Sequence, residues 1–472
     1  MTEKKVNEET RETDFNLTKI TFPEHLYDSI LPPHRAALRN KLLRFVRQES
    51  ELLAKIQASL RCSFLDQYFI ASAVLGNHLT FLIILPHLFM FGIPGLAREM
   101  VHLLLYGVVI TAIAKDYLCL PRPASPPVHR LSINKTHHLE YGFPSTHTAC
   151  CVGVGLSLLS YTYGSALGFE MKLFLGALSM LYMFSVSFGR IYCGMHSITD
   201  ILGGIFFGTI LWVVFHVGQP IIEKIILFPS VLVLVTLIST LILIVHYQPD
   251  PIDACPCFED SVASLGAIIG VYLGSWQGAN GSSFWTKPIQ ATFQYQFAQA
   301  GLVHSVMRVL IGFVMIIGWR IVAKKVCYLV LPGVYKLFNL PVRKFHKPAR
   351  KYKTLNRTSI SMVPSVVNLD TFTETVGPKS AIDVKESFEL KTSASDPSAN
   401  HVRDRKGCSP PQNAHSPQEI LEFEKELIEF RKEQDSILPR YDVDILTKLI
   451  VYSGIGWWAT LGSPALCYYF GV

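Results

Sequence analysis

The sequence predicts an all-α fold, a polytopic membrane helix bundle of about eight to nine spans. Half of the 472 residues are hydrophobic and only 17% are charged. The mean hydropathy is positive, at +0.31. The charges collect in a few blocks, and the apolar runs between them reach the roughly 20 residues that a bilayer crossing takes.

The elements follow in order. Residues 1–67 form a polar arm. Its beginning reads as loose chain, whereas 34–60 sets Leu38, Leu42, Leu43, Phe45 and Val46 among Arg and Lys, the pattern of an interfacial helix. The arm lacks the short apolar core and small-residue cleavage site of a secretory signal, so the first span is expected to be an uncleaved anchor. Apolar runs at about 68–92, 99–118, 147–165, 170–189 and 197–217 make a core block over 68–217. Runs at about 225–246, 259–275 and 303–323 supply additional spans within 218–340. Pro86 and the many glycines are compatible with spans, because neighbouring helices satisfy the freed backbone groups. Residues 341–440 are too rich in Ser, Thr, Pro, Lys and Glu to bury a core and are expected to be largely disordered. One amphipathic helix near 417–434 interrupts them, begun by the capping box Ser416-Pro417-Gln418-Glu419. The last span, at 447–470, lies in 441–472.

Charge and cysteine usage exclude other classes. The net charge of +7 comes mainly from 320–357, and basic residues also gather in the helical part of the arm; beside spans, both read as cytoplasmic and attracted to anionic headgroups of membrane lipids. No basic patch is interleaved with a nucleic-acid-binding fold, so no nucleic-acid partner is expected. Cys119, Cys150, Cys151, Cys193 and Cys467 lie in or beside spans as small hydrophobes. Cys255 and Cys257 flank a proline in a polar loop and make no zinc pair on their own.

Three polar stretches punctuate spans two to five. Lys115 ends the second span and Arg122-Pro123 follows it; Pro144-Ser145-Thr146-His147 opens the third; Arg190, His196 and Asp200 link the fourth to the fifth. Taken singly, each has a structural explanation: a snorkelling cation, a helix cap, a pair of residues one turn apart. Alternating spans, however, put all of them at one membrane face. Lys115, Arg122 and Arg190 then offer three positive charges to a dianion, two of them as planar forks. The bare amides of the helix starting near Ser145 add an anion cradle, and the Ser145 hydroxyl can donate as well. Asp200, one turn beyond His196, can accept from one ring nitrogen and leave the other as a nucleophilic lone pair. His147, from another helix, can protonate a leaving alcohol and then activate water. One carboxylate among three cations is a poor divalent-metal site, so neither a metal nor another cofactor is expected.

This set resembles the type 2 phosphatidic acid phosphatase superfamily, with its motifs KxxxxxxRP, PSxH and SRxxxxxHxxxD. They appear here as Lys115 to Arg122-Pro123, Pro144 to His147, and Arg190 through His196 to Asp200, with the spacing kept. Thr146 stands where many members carry Gly, and Gly189 replaces the Ser before the arginine. The stretches GFPSTH and YCGMHSITD are similar to the sphingosine-1-phosphate phosphatase branch. The resemblance implies a metal-independent phosphatase of the endoplasmic reticulum membrane that acts on phosphorylated long-chain bases. It implies a phosphohistidine at His196, orientation by Asp200, acid–base work by His147, and phosphate binding by Lys115, Arg122, Ser145, Thr146 and Arg190.

Phosphatidate, other lipid phosphates or a sugar phosphate are the rival substrates. A transporter or scaffold needs the cations but not a nucleophile with an orienting carboxylate. With two spans before the first motif, the site shares its side with the basic arm, which the positive-inside rule makes cytoplasmic. The resemblance implies a lumenal site instead, as would use of the sequon Asn134-Lys135-Thr136; the sequon Asn280-Gly281-Ser282 falls on the opposite face by the same count. A lumenal site is expected.

Overall fold

The path of the chain is set by where its apolar runs break. The computed structural model describes residues 26–76, 78–131, 140–252, 255–281, 286, 295, 297–338 and 441–471, and among these every regular element is helical. They belong to one compact unit; a second unit, 367–439, and with it the expected helix near 417–434, lies outside the described residues.

The arm forms α1 (Leu26–Ile30) and α2 (Pro33–Leu60). The core follows as α3 (Ser63–Leu75), α4 (His78–Met90), α5 (Pro94–Leu118), α6 (Thr146–Gly164), α7 (Phe169–Tyr192) and α8 (Ile198–Trp212), which continues as a π-helical turn at Val213–Val217. Beyond it come α9 (Gln219–Ile226), α10 (Val231–His246), α11 (Cys257–Asn280), α12 (Phe297–Leu337), α13 (Val443–Trp457) with a π-helical turn at Trp458–Gly462, and α14 (Ser463–Tyr469).

The expected count of eight to nine spans is not met by single helices. Five described helices are long and apolar enough to cross a bilayer, or six if the bent pair α9–α10 is one span. The run at 68–92 is two 13-residue helices, α3 and α4. The run at 447–470 is α13, a π-helical turn and α14 in succession and is not among the five. The run at 147–165 is the 19-residue helix Thr146–Gly164, whose ends, Thr146-His147-Thr148 and Tyr161-Thr162-Tyr163, are polar, and it is not among the five. The membrane character itself stands: the chain is a multi-pass membrane helix bundle.

α5 and α11 are the inner helices, with 72% and 67% of their apolar windows buried, against 22% for α7 and 17% for α12, whose side chains face outward. Lipid tails are as apolar as Leu, so helices associate here through close backbone approach at small residues rather than by escaping water. A Cβ at Gly204 would meet Thr148 Cβ at 2.7 Å and the Ser145 carbonyl at 2.8 Å, and one at Gly208 would meet the Ala149 carbonyl at 2.5 Å, which fixes α8 tightly on α6. Gly266 and Gly270 on α11 do the same against Leu449 and Ser453 of α13.

α2 carries the expected apolar residues, but Leu38 and Phe45 are exposed, and its buried stripe is Arg39, Leu43, Val46, Ser50, Leu53 and Gln57. Its polar members reach loop backbone. Arg35 donates to the Tyr117 and Asp116 carbonyls at 2.9 and 3.0 Å, and Arg39 to that of Cys119 at 3.2 Å, so two cations cap the C-terminus of α5. Gln57 donates to the carbonyls of His129 and Tyr192 and accepts from the His129 amide. The arm therefore lies at the same end of the bundle as the three motifs.

Candidate active site

Each motif stands where a helix ends or begins at that one end. α5 stops at Cys119, whose φ of +49° turns the chain left-handed directly after Lys115-Asp116-Tyr117-Leu118. Ser145 is the N-cap of α6, its Oγ accepting from the Thr148 amide. α7 ends beyond Arg190, and Gly194, at φ +65°, turns toward His196; a Cβ there would strike the His129 carbonyl at 2.6 Å. α8 starts with a capping box in which Ser197 and Asp200 satisfy one another. The Ser145 amide donates to the Asp200 carbonyl at 3.0 Å, joining the starts of α6 and α8 directly.

All three predicted cations are buried: Lys115 is 3% exposed, Arg122 7% and Arg190 6%. Arg122 donates through Nη1 to the Met195 carbonyl at 2.7 Å and lies 3.2 Å from His196 Nε2. A guanidinium has no acceptor, so Nε2 must present its lone pair there and the ring proton must sit on Nδ1. Nδ1 lies 3.4 Å from Asp200 Oδ2 without aligning as a hydrogen bond, while that oxygen accepts from the Ser197 amide at 2.8 Å. Such pairs are often long before substrate binds. The His196 pKa is held well below its ordinary 6.5, first by burial and then by the charges of Arg122, Arg190, Lys115 and His147. The ring is thus neutral in the tautomer a nucleophile needs. Burial also lowers the Arg122 pKa, with Glu140 and Asp200 opposing it.

Arg190 Nε is buried without a hydrogen-bond partner among the described residues. A buried guanidinium with an unused donor is expensive unless an anion completes it. His147 is half-buried in the first turn of α6, its ring beside Gly76, and its charge acts on His196. Thr146 Oγ1 accepts from Lys115 Nζ at 2.9 Å and pairs with Thr111 Oγ1 at 2.9 Å, which aims the ammonium. Ser145 is wholly buried, and Thr148 donates to its Oγ at 3.0 Å. All eight sequence-predicted residues therefore gather at one end of the bundle, with Ser145 and Thr146 engaged chiefly with neighbours in the protein.

Sequence reasoning missed a carboxylate. Glu140 Oε2 lies 3.1 Å from Lys115 Nζ and 3.3 Å from Arg122 Nη2, and the Glu140 carbonyl accepts from Arg122 Nε at 3.0 Å. It also missed Glu49 of α2, which accepts from the Thr199 amide and hydroxyl at 2.9 and 2.6 Å and so stabilises the start of α8. Neither belongs to a motif; a lone acidic residue in a loop or on a charged helix gives no spacing to read. Cys255 and Cys257, which flank Pro256, are bonded to each other. Their sulfurs lie within 4.8 Å of an Asp116 carboxylate oxygen, but a disulfide offers no thiolate to a metal.

A helix bundle in lipid that gathers a neutral histidine and three cations at one end is a membrane enzyme of phosphate-ester chemistry. The chain belongs to the PAP2 superfamily, whose family model matches residues 97–224 and so contains all three motifs. It is 34% identical over 309 residues to a dihydrosphingosine 1-phosphate phosphatase of Schizosaccharomyces pombe, covering 65% of this chain and 73% of that one. A dihydrosphingosine 1-phosphate phosphatase of Saccharomyces cerevisiae is 35% identical over 54% of this chain and 63% of its own. Sphingosine-1-phosphate phosphatase 2 of Mus musculus is 30% identical over 50% and 69%. No solved structure matches the chain.

Proposed function

We propose that the protein hydrolyses long-chain base 1-phosphates, dihydrosphingosine or sphingosine 1-phosphate, to the free base and phosphate through a phosphohistidine. One observation carries the reading: the Nε2 lone pair of a neutral, buried His196 faces the cation cluster 3.2 Å from Arg122, with Asp200 behind its other nitrogen. The names of the relatives support the substrate class.

Lys115, Arg122 and Arg190 take the phosphate oxygens, Arg190 satisfying its buried Nε in doing so. His196 Nε2 attacks phosphorus; the P–N bond forms as the ester P–O bond breaks, and the departing alkoxide takes a proton from His147. Asp200 accepts from Nδ1–H and stabilises the charged ring. His147 then removes a proton from water, whose oxygen attacks phosphorus and releases phosphate, returning His196 to its neutral form. The polar end of the bundle holds the headgroup and the lipid-facing flanks admit a tail.

We place the site on the lumenal side of the endoplasmic reticulum membrane. The arm shares that side, and Arg35 and Arg39, which a topology count reads as cytoplasmic charges, are committed to the end of α5. The sequon asparagine, Asn134, lies outside the described residues; its glycosylation in cells, read as a shift on glycosidase treatment, tests the sidedness.

The activity test is phosphate release by the purified full-length protein in EDTA, from dihydrosphingosine 1-phosphate, phosphatidate and glucose 6-phosphate in parallel. His196→Ala is expected to remove about 10⁴-fold or more of the activity on the first. Equal turnover of phosphatidate overturns the substrate class, and loss of activity with chelator overturns the mechanism.

A further inference from the structure

We infer that Glu140 forms a subsite for the ammonium group of the long-chain base, and so sets the preference for amino lipid phosphates over phosphates that carry no cation. The inference rests on the reading above that the substrate is a long-chain base phosphate.

Glu140 puts a carboxylate between Lys115 and Arg122, two of the cations that are to hold the dianion. A carboxylate there competes with phosphate for the same donors and repels it once bound, and at close range in a partly desolvated site that repulsion is large. A site built only to bind phosphate would be better with a neutral residue. The arrangement becomes favourable when the ligand brings its own positive charge. In a long-chain base 1-phosphate the ammonium is carried on the carbon next to the phosphate-bearing carbon, so a carboxylate beside the phosphate can reach it.

The geometry suits this exchange. The Glu140 carbonyl is held by Arg122 Nε at 3.0 Å, so the residue stays at the rim when its side chain releases the cations. Its side chain is 21% exposed, at the mouth rather than in the depth of the cluster, where the Lys115 and Arg122 side chains are 4% and 3% exposed. When phosphate oxygens engage Lys115 Nζ and Arg122 Nη2, the displaced carboxylate finds a new partner in the ammonium. The carboxylate gives up two cations and gains one, the two cations gain the phosphate, and no charge is left uncompensated. A second acid stands near the same cluster: Asp260, in the first turn of α11, has a buried Oδ1 without a hydrogen-bond partner among the described residues, and Glu140, Lys448, Glu259 and Lys115 are the charged groups that act on it. α11 lies outside the matched family segment, so this contribution comes from the part of the chain that the shared motifs do not reach.

The test compares dihydrosphingosine 1-phosphate with its N-acetyl analogue, which keeps the tail and phosphate but is neutral at nitrogen, for the full-length protein and its Glu140→Gln and Glu140→Asp variants. Wild type is expected to prefer the free amine by about ten- to a hundredfold in kcat/KM. Glu140→Gln should bring that ratio close to one, Glu140→Asp should retain part of it, and Asp260→Asn should lower it by a smaller factor. Inhibition by inorganic phosphate should move the other way, tightening several-fold in Glu140→Gln because the competing carboxylate is gone. A residue with a merely structural role would weaken both together, and that result overturns the inference. So does a wild-type enzyme that turns over the two substrates equally. A wild-type enzyme inactive on both sphingoid phosphates but active on phosphatidate or glucose 6-phosphate overturns the underlying substrate reading instead.

Discussion

α5, α6 and α8 carry a buried polar cluster at each of their two ends, and the two clusters differ in one respect. At the end away from the motifs, Glu99 has a fully buried side chain that accepts from Ser157 Oγ, from Tyr161 Oη at 2.6 Å and from His216 Nδ1 at 2.7 Å. Beside it Arg98 is paired through two nitrogens with both oxygens of Glu223. At the motif end, Arg190 Nε, His196 Nδ1 and Asp200 Oδ1 are buried without hydrogen-bond partners among the described residues. The first carboxylate is saturated by the protein, as structural polar groups in lipid are expected to be; the second set is held under-satisfied, at a cost in stability, which a ligand would repay. Burial of polar groups alone does not mark a site. Single unpaired atoms do not mark one either, since His102 Nε2 and Trp212 Nε1 near the Glu99 end are also buried without partners among the described residues; unpaired atoms of a cation, an imidazole and a carboxylate that converge do.

Three substitutions test this contrast. The largest effect is expected from Arg190→Gln, which removes the donor with the unused Nε: kcat/KM should fall by about 10²- to 10³-fold with little change in thermal stability. The same variant sharpens the pH argument. The folded protein keeps His196 neutral below 6.5, so the acid limb of kcat/KM should lie well under that value once the substrate's own ionisation near about 6 is allowed for. Removing one of the positive charges that depress it should move the limb upward, and an unchanged limb would separate the limb from His196. Stability follows the same linkage: an unfolded chain would bind a proton at this ring near 6.5, so its contribution is present above that pH and is lost as the pH falls below it.

A smaller effect is expected from Gly204→Ala, since its methyl would meet Thr148 Cβ at 2.7 Å and the Ser145 carbonyl at 2.8 Å and push the starts of α6 and α8 apart. We expect about a 10- to 100-fold loss in kcat and about 1–3 kcal/mol of stability, read by activity and by melting in detergent. The smallest effect on catalysis is expected from Glu99→Gln. It breaks the saturated cluster, so stability should fall by about 1–3 kcal/mol while kcat/KM stays within about twofold of wild type. Activity lost in proportion to stability there would erase the distinction between the two ends.

Much of the motif end was legible in sequence because its chemistry is local. Spacing within each motif and the alternation of spans were enough to bring Lys115, Arg122, His147, Arg190, His196 and Asp200 together. What escaped was long-range or polar where apolarity was being read. α2 reads as an interfacial helix because Arg39, Ser50 and Gln57, part of its buried stripe, look like surface residues; their partners lie more than 70 positions away. Glu140 reads as one more loop acid. The small-residue stripe at Gly204 and Gly208 was present in the sequence, but its partner helix was not. The span count failed for a different reason: hydropathy sees apolar content and not the break near residue 76 that divides the first run into two 13-residue helices.

The brace formed by α2 bears on how the protein can be cut. Arg35, Arg39, Glu49 and Gln57 all precede residue 97, where the family match begins, yet they hold the last turn of α5, the first turn of α8 and the loop around His129. A fragment trimmed to the matched segment would carry every catalytic side chain and lose the clamp that registers them. Borders drawn by kinship and borders of a working enzyme need not coincide, and in this chain the second begins well upstream of the first.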